Sequence, residues 1–334
     1  MFTNYLTEIP GILVGHAQNT AALTGCTVVL CPRGAVSGVD QRGGAPGTRE
    51  TDALRPMHLV QKAHAVVLSG GSAYGLDASS GVMKYLEENK SGFNTGVVRV
   101  PIVASAVLFD LGIGDPSIRP DAAMGYDACT AASNGPIVEG NVGAGTGATA
   151  GKLFGMKQAF KTGVGTASLK IGRLVIGAIV VANPFGDIID PDTQQIIAGA
   201  RSFKKVGIQF GRNQYFADTL GSMSSTVGKA ILKLAGFSNT VIGVVVTNAK
   251  LNKEETNKVA QMAQDGIALT VRPAHTMMDG DTIFALATGE TREDVNIVGA
   301  YAAQVFAQAI VRSVKSASPA ADLPAYNSIN TQND

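Results

Sequence analysis

Short, nearly continuous apolar runs recur along this chain, separated by stretches with helical spacing. Cys26–Leu30, Ala65–Leu68, Val97–Val100, Leu174–Ala182 and Val241–Val246 are rich in Val, Ile and Ala with little polar alternation. That pattern predicts strands covered on both faces. Between them, Asp77–Asn89, Lys253–Ala268 and Asp294–Ser313 read as helices. In the second of these, Asn252 can cap the first turn, and Val259, Met262, Ala263 and Ile267 form one apolar stripe. Strands and helices alternate through much of the chain, so the class is α/β or layered α+β.

Glycine-rich turns punctuate the first half: Gly43–Gly47, Ser69–Gly75 and Gly143–Lys152. No internal repeat of fixed period is visible. Arg201–Lys229 is the least regular region and reads as an exposed connection; the tail beyond Ser316 reads as disordered.

Composition adds a need for burial. The 334 residues are 45% hydrophobic and 16% charged, with 40 Gly, which predicts ample core and extensive subunit interfaces. A formal net charge of +1 without a Lys/Arg cluster argues against nucleic-acid binding. The odd cysteine count (Cys26, Cys31, Cys129) and only four His disfavour a structural zinc site, leaving buried free thiols of a reducing compartment. Met1–Tyr5 has no secretory pattern, and no uninterrupted apolar run reaches the roughly 20 residues of a membrane span. The expectation is a soluble, cytoplasmic protein with no metal or cofactor.

The chemistry concentrates around Ser238-Asn239-Thr240, which leads straight into Val241–Val246. A Thr heading a buried strand is ordinarily just a good β-former. If the Asn239–Thr240 bond were cut, however, Thr240 would carry a free α-amine beside its hydroxyl, which is a nucleophile with its own base. Downstream, Asp279-Gly280-Asp281 sets two carboxylates on a Gly turn. Such turns are common on surfaces, and these lack the companions of a metal site; near a nucleophilic Thr they could orient it. Asn183 ends the Leu174 strand before Pro184. It is either a plain turn former or an amide donor to an oxyanion. Lys152, at the end of the Gly143 stretch, is either a solvated helix-start residue or a lysine that keeps a nearby amine neutral by like-charge repulsion.

Two motif readings fit poorly. Gly143-Ala144-Gly145-Thr146-Gly147 lacks the third glycine of a dinucleotide fingerprint, and Lys152 is followed by Leu153 where a P-loop needs Ser or Thr. In Gly70-Gly71-Ser72-Ala73-Tyr74, Tyr74 stands where a nucleophile elbow needs Gly. These segments read better as pocket walls, with Ser72, Tyr74 and Gly145 as candidates.

Taken together, Gly11–His16, Arg42–Asp52, Leu68–Leu76, Gly143–Lys152, Val244–Ala249, Arg272–Thr276 and Asp281–Gly289 resemble the self-cleaving aminopeptidases and amidases: D-aminopeptidases, β-peptidyl aminopeptidases and nylon-oligomer hydrolases. In that family the nucleophile begins its strand seven residues before the Thr of a Thr-Asp-Ala-like segment. Thr247 occupies that place, which points back to Thr240. The Asn-Thr bond and the Asp-Gly-Asp turn are most similar to the nylon-oligomer branch. The resemblance implies an α+β fold, a four-layer αββα sandwich of the N-terminal-nucleophile-hydrolase-like type. One domain would form from two fragments, residues 1–239 and 240–334, that stay associated in a homo-oligomer, a tetramer of such pairs. It also implies catalytic roles for Thr240, Asn183, Lys152, Asp279 and Asp281. Phe109 stands where the branch can place Tyr, which would remove a hydroxyl from the site.

The expected function is amide hydrolysis through an acyl-enzyme on Thr240. The substrate is an aliphatic oligoamide such as a 6-aminohexanoate oligomer, cleaved internally; the alternative is an aminopeptidase for β- or D-residues. A non-catalytic small-molecule-binding protein would instead be a single intact chain, and a cofactor-dependent α/β enzyme would carry a bound nucleotide or metal.

Overall fold

The computed structural model describes residues 2–3, 6–205, 208–210, 215–232 and 239–330. Ser238 and parts of the Arg201–Lys229 region (206–207 and 211–214) lie outside them.

The elements that position the site are β1 (Leu13–Asn19), β2 (Thr24–Gln41), β3 (Lys62–Ser69), α1 (Ala78–Glu88), β4 (Val103–Val107), α2 (Ala122–Thr130), β5 (Val164–Ile171), β6 (Leu174–Asn183), β7 (Thr240–Ala249), α3 (Lys253–Thr270), β8 (Thr282–Thr291) and α4 (Val295–Lys315). The strands join in the order β5-β6-β7-β8-β2-β3-β4, with Thr48–Arg49 on the outer edge of β4 and β1 on β2. The long strand β2 makes this a folded sheet. Its first half pairs with β1 and β3, and its second half pairs with β8.

Three apolar cores separate four layers, giving the αββα sandwich. One core lies between α3 and α4 and the β5–β8 half-sheet, a second lies between the two half-sheets, and a third lies between the other half-sheet and α1 and α2. Strand β7 shows why its run reads as continuously apolar. Val241 and Val245 face the helices, whereas Ile242, Val244 and Val246 face the opposite half-sheet. Helix α3 carries the capping box of Asn252 with Glu255, and Val259, Ala263 and Ile267 of its stripe are buried. Helix α4 has the length and hydropathy of a membrane span, but it packs in the core.

Several expectations need correction. Val97 and Val98 are exposed at the tip of a short hairpin, Val97 by 90%. The buried strand here is Val103–Val107, whose Ala and Ser make it less conspicuous. The chain past Ser316 is packed as far as residue 330: Leu323 and Ala325 are buried and the Pro324 carbonyl accepts from the Lys161 backbone N–H at 2.9 Å. In the Arg201–Lys229 region, Phe216, Ala217 and Thr219 are buried, and the Asp187 carboxylate accepts from the backbone N–H groups of Ala200 and Thr219. Cys26, Cys31 and Cys129 are buried free thiols.

Candidate active site

Thr240 and Asn183 face each other across the antiparallel β6–β7 pair, at the end of the half-sheet where β6 finishes and β7 begins. Both are buried. The Thr240 hydroxyl donates to the carbonyl oxygen of Asn239, so the candidate nucleophile and the candidate scissile carbonyl are in contact. The Asn239 side chain is buried, and neither of its amide atoms meets a partner among the described residues.

The Asp279-Gly280-Asp281 turn lies against the other side of β7, just before β8. Residues 239 and 279 form a parallel bridge, and the Gly280 N–H donates to the Asn239 oxygen at 3.1 Å. The Asp279 carboxylate accepts from the Phe185 N–H at 3.1 Å and from the backbone and hydroxyl of Thr276. Burial, reinforced by the Asp281 charge, raises its pKa. Asp281 accepts from the Val241 N–H at 2.8 Å, and from His275 through both its backbone N–H and Nδ1. Each carboxylate thus satisfies protein donors on both oxygens, and their first effect is to hold β7 and its leading residue in place. His275 is visible in the sequence only as part of the Arg272–Thr276 segment; its pairing with Asp281 runs across the turn, from a residue held at φ 55°, and no periodicity reports that.

On the β6 side, Lys152 is buried rather than solvated, and it follows a short strand instead of opening a helix. Its Nζ donates to Asn183 O at 2.8 Å, Asn183 Oδ1 at 2.9 Å and Pro184 O at 3.3 Å. Burial pulls its pKa down to about 7, against the opposing pull of Asp279. Thr149 adds its backbone N–H to Asn183 Oδ1 at 3.0 Å. With Oδ1 gripped from that side, the Asn183 amide nitrogen is turned to the Phe109 carbonyl at 3.2 Å. A second buried lysine, Lys161, donates to the Gly145 and Ala148 carbonyls and so holds the loop that carries Thr149 and Lys152. Its pKa is likewise lowered to about 7 by burial. Lys161 was not legible as part of this support, since its three acceptors are backbone carbonyls.

In front of Thr240 lies a cavity of about 270 Å³, walled by residues 45–47, 72–73, 107–109 and 239–240 and by Met278. None of these side chains carries a charge. Ser72 and Phe109 belong to this wall. The Ser72 turn is fixed by Asp110, which accepts from the Gly71 N–H at 2.7 Å and from the Thr24 hydroxyl at 2.7 Å. Tyr74 and Gly145 are elsewhere. Tyr74 is 64% exposed on the outer side of its helical turn, with the Arg119 guanidinium 4.0 Å over its ring. Gly145 is buried in the backbone of its own turn, too near Val164 N for a side chain.

Comparison with known proteins agrees with this layout. The profile of Peptidase family S58 matches residues 4–324. An uncharacterized aminopeptidase of Mycobacterium leprae is 42% identical over 97% of this chain and 93% of its own length. The 6-aminohexanoate-oligomer endohydrolase of Kocuria sp. is 32% identical over 92% of this chain and 85% of its own. Identity is therefore higher to the relative named as an aminopeptidase than to the one named as a nylon-oligomer enzyme. Among solved structures, the L-aminopeptidase D-Ala-esterase/amidase of Ochrobactrum anthropi, titled a variant of the Ntn hydrolase fold, superposes with a TM-score of 0.66 at 19% identity. It covers 94% of this chain and 86% of that one, and at that identity it speaks for the fold. From the profile match and the identity of its relatives, the chain belongs to peptidase family S58.

Proposed function

We propose that this hydrolase cleaves itself between Asn239 and Thr240 and then uses the freed Thr240 as an N-terminal nucleophile on amides that carry no charge next to the scissile bond. The observation that carries the reading is the contact of the Thr240 hydroxyl with the carbonyl of the residue before it. In turnover, the Thr240 amine takes the hydroxyl proton as Oγ1 attacks the substrate carbonyl, then returns it to the leaving amine. Asn183, held by Lys152 and Thr149, supplies the amide donor for the oxyanion. Asp281 holds the strand behind the nucleophile through the Val241 N–H, and Asp279 braces the turn beside it. The two fragments, 1–239 and 240–334, share the core under α3 and α4 and the core between the half-sheets, and stay together. Apolar side chains on the surface, among them Met57 (97% exposed) and Leu59 (81%), support assembly into a homo-oligomer, a tetramer in our reading.

The substrate preference follows from the cavity wall. An aminopeptidase must hold a free ammonium near the scissile bond, and a buried ammonium without a counter-charge is costly. Among the described residues no acidic side chain lines this cavity, and both nearby carboxylates are engaged by protein donors; the charges that cleavage adds, on the new termini Asn239 and Thr240, are of opposite sign. Internal amides of an aliphatic oligoamide suit such a wall. In the second reading it is an aminopeptidase releasing β- or D-residues; the 42% identical relative, named an aminopeptidase, favours exo-cleavage. A pair of 6-aminohexanoate oligomers of equal length, one with a free amine and one N-acetylated, separates the two. We expect kcat/KM values for the pair to agree within about tenfold, the span of a weak charge effect of roughly 1.4 kcal/mol. Hydrolysis of the free-amine oligomer alone would establish the aminopeptidase instead.

A further inference from the structure

Self-cleavage, if it takes the route proposed above, needs its own transition-state stabilisation, and the structure holds a donor for it. We infer that the backbone N–H of Gly280 is the oxyanion donor for cleavage of the Asn239–Thr240 bond; this rests on the self-processing reading. In the step, Thr240 Oγ1 bonds to the Asn239 carbonyl carbon, and the Asn239–Thr240 C–N bond breaks. The hydroxyl proton passes to the departing Thr240 nitrogen. The Asn239 ester so formed is hydrolysed by water, which leaves a carboxylic acid on Asn239 and returns a proton to Oγ1. Between bond making and bond breaking, negative charge sits on the Asn239 oxygen. That oxygen is 3.1 Å from the Gly280 nitrogen, with the N–H aimed at it, and a donor so placed strengthens as charge develops.

Three observations make this more than a chance strand contact. First, the donor is held rigidly. The Asp279 carbonyl accepts from the Ala45 N–H at 2.9 Å, the Asp279 N–H donates to Thr276 O at 3.1 Å, and the carboxylates on either side of Gly280 are anchored. Second, the scissile peptide is held at its oxygen by Gly280, and the peptide that follows it is held through the Val241 N–H by Asp281 at 2.8 Å. Third, the close approach requires glycine for room. A Cβ on residue 280 would fall 2.6 Å from the Ala45 oxygen and 3.0 Å from Thr240 Oγ1. The Asn239 carbonyl also points toward the β8 side of β7, whereas Asn183 stands across on β6. The geometry therefore gives self-cleavage a donor on the opposite side of the strand from the turnover candidate.

The test follows maturation of the full-length chain by intact mass under denaturing conditions. Gly280→Pro deletes the N–H but brings a Cβ into space that only glycine leaves open, so the deciding protein is a full-length chain assembled by ligation with an ester in place of the Asp279–Gly280 amide, which deletes the N–H with the backbone shape preserved. Both should cleave roughly 100- to 1000-fold more slowly than the all-amide chain, the usual loss for one oxyanion donor. Should Gly280→Pro fail to fold by circular dichroism, the ester chain decides. An ester chain that matures at the normal rate overturns the inference. Thr240→Ala, run alongside, separates the two levels of the argument: if it too is cut, the self-processing reading itself falls, and if it stays whole while the ester chain matures normally, only the role of Gly280 does.

Discussion

Thr240→Ala is expected to remain one chain of 334 residues and to hydrolyse no amide. The substitution removes only the hydroxyl and methyl of a side chain at the head of β7, and the strand keeps its pairing with β6 and β8. The protein should therefore fold and melt close to the parent, so that loss of cleavage reports chemistry. The hydroxyl in contact with the Asn239 carbonyl has no substitute in Ala, and without cleavage the α-amine that would act as base stays locked in a peptide bond. Loss of a nucleophile that works as a unit with its base costs on the order of 10⁴-fold or more in rate. Thr240→Ser keeps a hydroxyl and an amine, and should be cut. Two fragments from Thr240→Ala would move the nucleophile elsewhere, with Ser72, the hydroxyl already in the cavity wall, next to be tested.

Lys152→Met is expected to lower turnover by about 100-fold, the scale of a misplaced oxyanion donor, while leaving a folded protein. Met matches the aliphatic stem but abandons three oxygens, two of them on Asn183. The Asn183 amide is then held on its oxygen side by Thr149 alone among the donors described above, and its orientation toward the Phe109 carbonyl loosens. Stability should move differently. The Lys152 ammonium is wholly buried, with a folded-state pKa of about 7 against 10.5 for an ordinary lysine. Between those values the unfolded chain binds the extra proton, so this group's share of stability rises with pH, by up to about 1.4 kcal/mol per unit. In denaturant melts the parent should therefore gain stability relative to Lys152→Met on going from pH 7 to pH 9. Lys161, lowered for the same reason, is common to both proteins and cancels. A parent-minus-variant difference that is flat over this range, together with unchanged turnover, would show that Lys152 is a passive filler.

The absence of charge from the cavity wall cuts against the name carried by the 42% identical relative. The two need not conflict. A shared fold is compatible with different walls, because the wall is built largely from residues 45–47, 72–73 and 107–109, whereas the proposed nucleophile heads a strand of the sheet.

From the sequence alone, the strands buried on both faces, the α3 cap and stripe, and the long Ala-rich α4 were legible, because hydrophobic periodicity is a local property of the chain. So was the pairing of a Thr at the head of a buried strand with an Asn before it, since the chemistry of a Thr beside a latent amine is written in consecutive residues. Tertiary structure alone decided which polar residues meet. Thr240 is brought to Asn183 by antiparallel register across 57 positions of sequence, His275 to Asp281 around a turn, and Lys152 to Asn183 out of a loop. Tyr74 lies within two residues of the cavity wall and yet points elsewhere, and Gly145 serves the loop through its carbonyl to Lys161 rather than as a pocket wall. The direction of a side chain in an irregular turn depends on backbone angles and on neighbours distant in sequence, and so does a backbone N–H such as that of Gly280, which has no side chain to betray it.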